Sequence, residues 1–127
     1  MSRRVGIDIV SPESVEAAID AHGERYLRRM FTPRERLRCR RGDRLDARRL
    51  AAHVAAKEAT FKAIGVGDRA VAWSDVEVEV EVAGQLQLML SGQAATLAED
   101  EGIASLSLSF ASTGELAAAV VIAIRNA

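Results

Sequence analysis

The 127-residue chain is poor in aromatic side chains: it has three phenylalanines, one tryptophan and one tyrosine, which make up 4% of its residues. Its hydrophobic content is nevertheless 49%, which excludes a disordered chain of low hydrophobicity. Valine, leucine, isoleucine and alanine must therefore fill the core. The length suits one domain, which we expect to cover residues 1–127 and to gain stability from oligomerisation.

Cysteine is nearly absent. The single Cys39 excludes an internal disulfide and favours a reducing compartment. Neighbouring arginines can lower the pKa of a thiol, so Cys39 could be a nucleophile. The sequence indicates no histidine partner near Cys39, and we interpret this cysteine as incidental.

The chain also lacks a long apolar run at its start. The segment from Met1 to Val10 is too short for a signal peptide or a membrane span, and it contains Asp8. We therefore expect a soluble cytoplasmic protein that does not bind a membrane.

The chain also has no large net charge of either sign, because its formal charge is −1. Most of the 17 cationic residues lie between Arg25 and Arg49, whereas four acids crowd one later segment. The arginine-rich segment is either a solvated helical face or a docking surface for an acidic protein or a polyphosphate. Its few interleaved aromatics and the lack of a recognisable binding motif argue against a nucleic-acid-binding protein.

Periodicity and capping signals predict helices in the first half of the chain, after one strand over residues 4–10. Ser11-Pro12 is a strong helix start, and Thr32 with Glu35 forms a capping box at another. Gly42-Asp43 marks a break. The predicted helices cover residues 12–21, 24–30 and 45–64, the last with an apolar stripe of Leu50, Val54, Phe61 and Ile64.

The second half of the chain is predicted to be mainly β-structure. Residues 75–82 alternate, with Val76, Val78, Val80 and Val82 inward and the acids outward. Gly84-Gln85 turns this strand into residues 86–90. A short helix over 92–101 and strands over 103–110 and 116–124 follow. This order predicts an α+β domain in which an antiparallel sheet packs on a long helix.

Three charged residues stand out as a candidate site. Asp8 lies in an apolar strand, where an unpaired buried carboxylate would be very costly, so it needs a metal, a cation or water. Glu58 and Lys62 lie one turn apart on the long helix. Each has a simpler explanation: Asp8 faces solvent on an edge strand, and Glu58–Lys62 is an ordinary i,i+4 helix pair.

The joint pattern of motifs changes this balance. Gly6-Ile7-Asp8-Ile9-Val10, Phe31-Thr32 with Glu35, and the helix segment Ala55-Ala56-Lys57-Glu58-Ala59 with Phe61-Lys62-Ala63 occur in this order. Trp73-x-Asp75-x-Glu77-Val78 and the segments Ser107-Leu108-Ser109 and Ala117–Val121 follow. Together they resemble the holo-acyl-carrier-protein synthase type of 4′-phosphopantetheinyl transferase over nearly the whole chain. The Lys-Glu-Ala helix is the specific part of this resemblance.

The resemblance implies an enzyme that moves the phosphopantetheine arm of coenzyme A to a serine of an acyl carrier protein, releasing adenosine 3′,5′-bisphosphate. Asp8 and Glu58 are then expected to hold Mg²⁺, and Lys62 to contact the pyrophosphate and assist proton movement. Glu35 is expected to orient a metal-bound water. The resemblance also implies a homotrimer whose active sites lie between subunits.

Four departures identify the chain as a divergent member. His53 stands where the family has arginine, Gln85 replaces a cation, and Phe110 follows Ser109 where histidine is usual. The first helix carries acids in place of arginines that meet the carrier protein. The remaining coenzyme A contacts are expected from Lys62, His53, Arg49 and Ser109, and the arginine-rich segment is expected to meet the carrier.

Two hypotheses follow. The first is a Mg²⁺-dependent 4′-phosphopantetheinyl transferase. The second is a protein of the same fold that no longer transfers phosphopantetheine and binds or converts another substrate, carrier-tethered or small, in the inter-subunit cleft.

Overall fold

A computed structural model describes residues 2–126 of the chain. These residues form five helices, seven strands and a 3-10 turn over Trp73–Asp75. In chain order they are β1 Ser2–Val10, α1 Pro12–His22, α2 Glu24–Met30, α3 Pro33–Arg38, β2 Arg40–Arg41, β3 Arg44–Leu45, α4 Ala47–Ile64, β4 Val76–Val80, β5 Leu86–Leu90, α5 Gly92–Asp100, β6 Ile103–Ser112 and β7 Ala117–Arg125.

The helix ends follow local capping chemistry. The Ser11 hydroxyl accepts from the Ser14 backbone N–H at 3.1 Å, and Thr32 and Glu35 form the predicted capping box. Helix α4 begins at Ala47, two residues later than predicted, because Asp46 is its N-cap and Leu45 belongs to β3. The predicted break at Gly42-Asp43 is the turn of the small β2–β3 hairpin.

Strands β1, β7 and β6 form an antiparallel sheet in that order, and α4 lies across one of its faces. Even-numbered residues of β1 and odd-numbered residues of β7 face the helix, among them Gly6 and the buried Ala119 and Val121. A Cβ added at Gly6 would lie 1.8 Å from the carbonyl oxygen of Ala59. Strand and helix backbones are therefore in direct contact, which only glycine on the strand and alanine on the helix allow.

Helix α4 is buried on nearly every side, which is more than the predicted stripe. Leu50, Val54 and Ile64 lie in the core as predicted, whereas Phe61 is only half buried. Three polar residues of α4 are buried as well, His53, Lys57 and Thr60. The helix runs between the sheet and the remaining elements, so it has no long solvent-facing side.

The β4–β5 hairpin corrects one prediction. Val76 and Val78 are fully buried as expected, but Val80 is 48% exposed and Val82 110% exposed. Strand β4 ends at Val80, and the turn with Gly84 at φ 81° projects beyond the core. The alternating pattern of residues 75–82 therefore predicted the strand but not the point where its inner face stops being covered.

The face of the sheet opposite α4 is apolar and uncovered in the single chain. Exposed side chains of β1 and β7 form it, and we call it the outer sheet face: Val5, Ile7, Ile9, Val120 and Ile122. Val5 is in register with Ile122, and Ile7 with Val120.

No helix within residues 2–126 is both long and apolar enough to cross a membrane.

The Gly6 contact gives a stability prediction. We expect Gly6→Ala to lower the free energy of unfolding by about 3 kcal/mol or more, because the new methyl group must displace backbone atoms of α4. Urea denaturation measures this. Gly114→Ala is the matched control, since its Cβ would meet nothing closer than an Arg48 side-chain nitrogen at 3.8 Å. Equal stability of the two variants would contradict the proposed packing.

Candidate functional site

The structure brings Asp8, Glu58 and Lys62 together where β1 crosses α4. Asp8 projects from the helix-facing side of β1, and its side chain is only 14% exposed. The Lys62 ammonium lies 3.2 Å from Asp8 Oδ1 and donates to the carbonyl oxygen of Ile7 at 2.9 Å. Glu58 lies one turn before Lys62 on the same helix. The alternative that Asp8 simply faces solvent is therefore wrong.

The two neighbouring carboxylates, Asp8 and Glu58, favour the binding of a cation between them. Burial raises the pKa of Glu58, and the neighbouring Asp8 carboxylate raises it further by charge and by a hydrogen bond, while Lys62 acts in the opposite direction. Two carboxylates that face each other repel unless a proton or a cation lies between them. The pair thus has the chemistry of a small cation site.

A donor set of two carboxylates is compatible with Mg²⁺. Within residues 2–126 there is no group of three or more histidine, cysteine, aspartate or glutamate side chains that could hold a metal. Mg²⁺ is commonly bound by one or two carboxylates, with waters and substrate phosphate oxygens as its other ligands. Asp8 and Glu58 are therefore enough for Mg²⁺, and too few for an all-protein cage.

A cleft of about 280 Å³ opens beside these residues, and we call it the Glu58 cleft. Besides Glu58 and Lys62 it is lined by Phe61, Val66, Gly67 and Trp73. The rings of Phe61 and Trp73 meet edge to face with centroids 5.2 Å apart. Sequence reasoning used Trp73 only as part of a motif and did not predict that it forms a wall of this cleft.

A second cleft of about 380 Å³ lies between α4, the β4–β5 hairpin and β6, and we call it the His53 cleft. It brings together two predicted contact residues, His53 and Arg49. The other lining residues are Arg38, Ala52, Val80, Leu86, Phe110 and Ser112. The cleft is therefore largely apolar, with its two arginines as the cations.

Ser109 is not among the residues that line this cleft. Successive side chains of a strand point to opposite faces of the sheet, and Phe110 takes the cleft side. Ser109 is exposed on the other side of β6, opposite Val120 in register. In the single chain, Ser109 therefore lies outside the cleft in which its predicted contact with coenzyme A would be made, and Ser112 lines the cleft instead.

His53 is a neutral group at the base of its cleft. Its Nδ1 lies 2.8 Å from the carbonyl oxygen of Arg49, so this nitrogen carries the ring proton. Burial lowers the pKa of His53, against the opposing effects of that hydrogen bond and of Glu35. The ring also packs 5.8 Å from that of Phe110. His53 thus supplies polarity and shape rather than positive charge.

Cys39 has the histidine neighbour that the sequence did not indicate. Its Sγ lies 3.6 Å from His53 Nδ1 and is fully buried. Burial raises the pKa of the thiol to about 12, and the Glu35 charge adds to this against Arg38 and Arg49. The interpretation of Cys39 as a non-nucleophilic residue agrees with this environment, although the expected lowering by arginines is outweighed.

Glu35 is the predicted catalytic residue that the structure places elsewhere. Its side chain is fully buried and pairs with Lys57, Oε1 to Nζ, at 2.8 Å. Both carboxylate oxygens also accept backbone N–H groups, from Thr32 and from Val78. A carboxylate with no exposed surface, whose two oxygens already accept three N–H groups inside the protein, is not placed to orient a metal-bound water in this chain.

The Cys39 environment gives a reactivity prediction. At pH 8 a thiol with a pKa of about 12 is ionised in roughly one molecule in ten thousand, so we expect native Cys39 to react with an aromatic disulfide reagent at least about 100-fold more slowly than the unfolded chain. Absorbance of the released thiol measures the rate. In Ala83→Cys the exposed second thiol should react fast, as the control. A fast reaction of both thiols in the folded variant would contradict this environment.

Comparison with known proteins places these features in one family. The model of the 4′-phosphopantetheinyl transferase superfamily matches residues 4–121. A holo-[acyl-carrier-protein] synthase of Desulforudis audaxviator is 40% identical over 120 residues, which cover 94% of this chain and 91% of that protein.

Solved structures agree. The holo-[acyl-carrier-protein] synthase of Neisseria meningitidis superposes with a TM-score of 0.84 at 29% identity, over 96% of this chain and 98% of that one. The Helicobacter pylori synthase in complex with coenzyme A superposes with a TM-score of 0.81 at 28% identity, over 94% and 99%. The chain therefore belongs to the 4′-phosphopantetheinyl transferase superfamily, within the holo-acyl-carrier-protein synthase family.

Proposed function

We propose that this chain transfers the 4′-phosphopantetheine group of coenzyme A to a serine hydroxyl of an acyl carrier protein, with Mg²⁺ as cofactor. The observation that carries the proposal is that Asp8 meets Glu58 and Lys62, two residues that line the Glu58 cleft. This set provides two carboxylates for a cation and one ammonium for a phosphate. Phosphoryl transfer depends mostly on such charge stabilisation and alignment.

Asp8 and Glu58 would hold the Mg²⁺, which when bound neutralises charge on the pyrophosphate oxygens. Lys62 is 55% exposed and reaches the mouth of the cleft on a flexible stem, so its ammonium can donate to a phosphate oxygen. Its bonds to Asp8 and to the Ile7 carbonyl position it there before substrate arrives.

In the reaction the serine oxygen forms a bond to the phosphorus next to pantetheine, and the bond to the bridging oxygen breaks. Adenosine 3′,5′-bisphosphate leaves with that oxygen, and the serine hydroxyl loses its proton. Glu58 is the carboxylate placed to receive this proton, because it lines the cleft in which the serine hydroxyl would lie. Lys62 stabilises the charge that develops on the leaving group.

We also propose that the nucleotide end of coenzyme A binds in the His53 cleft. Its volume of about 380 Å³ lies within the range of about 300–1,000 Å³ typical of ligand pockets. Phe110 and Leu86 offer apolar surface for a base, while Arg38 and Arg49 offer cations for phosphate. Neutral His53 contributes a hydrogen-bonding group without charge.

The carrier protein would dock on the arginines of α2. Arg25, Arg28 and Arg29 are exposed there, whereas α1 exposes the acids Glu13 and Glu16. Complementary charge speeds encounter with an acidic partner and fixes its orientation. This arrangement supports α2 as the surface that meets the carrier.

A homotrimer would cover the outer sheet face. Val5, Ile7 and Ile9 are 56–62% exposed on one strand, which is unusual for adjacent large apolar side chains in a monomer. Asp8 projects from the opposite, helix-facing side of the same edge strand, so a neighbouring subunit that also passes the free edge of β1 would lie close to Asp8 and Glu58. The active site would then be formed by two chains.

The apolar His53 cleft also supports a second candidate function. A protein that binds or converts another substrate in this cleft would need fewer cations, as found around neutral His53 and Phe110. Intact mass spectrometry of apo carrier proteins incubated with coenzyme A and Mg²⁺ separates the two. A gain of one phosphopantetheine group supports transfer; no gain on any carrier, beside a working control enzyme, supports the second candidate.

The metal assignment predicts the effect of removing either carboxylate. We expect Asp8→Asn and Glu58→Gln each to lower kcat/KM at fixed Mg²⁺ by at least about 100-fold while the protein stays folded. Intact mass of the carrier measures transfer, and Mg²⁺ titration measures the requirement. Glu79→Gln, at a partly buried acid that pairs with Arg34 away from the site, should behave like the wild type. Full activity of Asp8→Asn or of Glu58→Gln would overturn the assignment.

The assembly proposal predicts a monomer when the outer sheet face is charged. We expect Val5→Asp to reduce the molar mass in light scattering from three times 13.7 kDa to 13.7 kDa, because a buried carboxylate would be unpaired at the interface. Leu37→Asp is the control, since Leu37 is 72% exposed on α3 and lies off the sheet. A wild-type monomer, or an unchanged Val5→Asp trimer, would contradict this interface.

A further inference from the structure

Lys57 of α4 and Glu35 of α3 form an ion pair in the interior of the protein. Both side chains have no exposed surface, and Nζ lies 2.8 Å from Oε1. The same ammonium donates to the carbonyl oxygen of Trp73 at 3.1 Å and to that of Val76. Its three N–H groups therefore have three acceptors.

Glu35 is equally well bonded. Its Oε1 accepts the Thr32 N–H at 3.0 Å, and its Oε2 accepts the Val78 N–H at 2.9 Å. The pair therefore joins α3 and α4 to the backbone of residues 73–78, the segment that leads into β4. Every polar atom of both side chains is used inside the protein.

The segment fixed in this way is a wall of the Glu58 cleft. Trp73 lines that cleft and packs edge to face on Phe61, which lies one turn after Lys57 on α4. Glu58 directly follows Lys57. A shift of the Trp73 backbone would therefore move the indole and release Phe61 beside the reacting groups.

We infer that Lys57 and Glu35 are positioning residues, which hold the Trp73 wall against α4 so that the Glu58 cleft keeps the shape required for transfer. The inference rests on the proposed function for what the cleft does, but not for how the wall is held. Net stability is a poor explanation for the pair, because a buried ion pair is commonly no better than apolar side chains of the same size.

The test replaces the whole pair. The double variant Glu35→Leu/Lys57→Met leaves no unpaired charge in the core, so the domain should stay folded by circular dichroism. It leaves the carbonyl oxygens of Trp73 and Val76 without the ammonium. Trp73 is the only tryptophan in the chain, so its fluorescence reports on the wall without any need for activity.

We expect the folded double variant to show at least about a twofold rise in acrylamide quenching of Trp73, since a released wall is more accessible. We expect kcat to fall about 100-fold, as misplacement by about 1 Å can cause, with KM for coenzyme A changed by less than about threefold because the nucleotide end lies in the other cleft. A folded double variant with wild-type quenching and wild-type kcat would overturn the inference.

Glu79→Gln is the matched control, because Glu79 pairs with Arg34 and this pair also joins β4 to α3, but at the surface. It should leave quenching and kcat unchanged. If the double variant does not fold, Glu35→Gln decides: its amide keeps the size of the side chain and loses the charge. Increased quenching with reduced kcat then supports the inference, and wild-type values overturn it.

The quenching measurement also separates this inference from the proposed function. If the wild type transfers no phosphopantetheine, the proposed function fails, whereas a rise in Trp73 quenching in the double variant still shows that the pair holds the wall. If the wild type is active and quenching does not change, only the positioning role fails.

Discussion

The close contact between β1 and α4 is the constraint on which the candidate site depends. Gly6 has no side chain, and the backbone of α4 at Ala59 occupies the space that a Cβ would need. Because β1 lies this near, Asp8, two residues along the strand, comes within 3.2 Å of the Lys62 ammonium and beside Glu58. A larger spacing between sheet and helix would separate the two carboxylates that a shared cation needs.

The same helix also joins the two clefts. Glu58 and Lys62 near its end line one, and Arg49 and His53 near its start line the other. The long helix is rigid and buried on most sides, so the spacing between these groups is set by its 1.5 Å rise per residue. Burial on most sides requires small side chains in the middle of the helix, at Ala55, Ala56 and Ala59. Each of these side chains buries little apolar area of its own.

Features that depend on residues close in sequence could be predicted, and features that depend on tertiary contacts could not. Capping chemistry predicted the starts at Ser11 and Thr32, and the i,i+4 spacing placed Glu58 near Lys62. The burial of Glu35 could not be predicted, because the same residue serves a capping box and faces a lysine 22 positions away. The side of β6 that carries Ser109 likewise depends on strand pairing, and the Cys39–His53 contact depends on how α3 meets α4. Resemblance supplied Asp8, which local rules alone left open.

Lys57 and Glu58 show how adjacent charges acquire different roles. Consecutive residues of a helix point about 100° apart, so Lys57 enters the core while Glu58 reaches a cleft. Lys57 has all its donors satisfied by protein atoms and no exposed surface, so it has no capacity left for a ligand. Glu58 faces a second carboxylate, and Lys62 compensates only part of the repulsion between them. A bound cation would therefore stabilise the ionised form of Glu58. Full internal satisfaction therefore marks the structural member of this dipeptide, and incomplete satisfaction beside an open cleft marks the residue that we propose as a metal ligand.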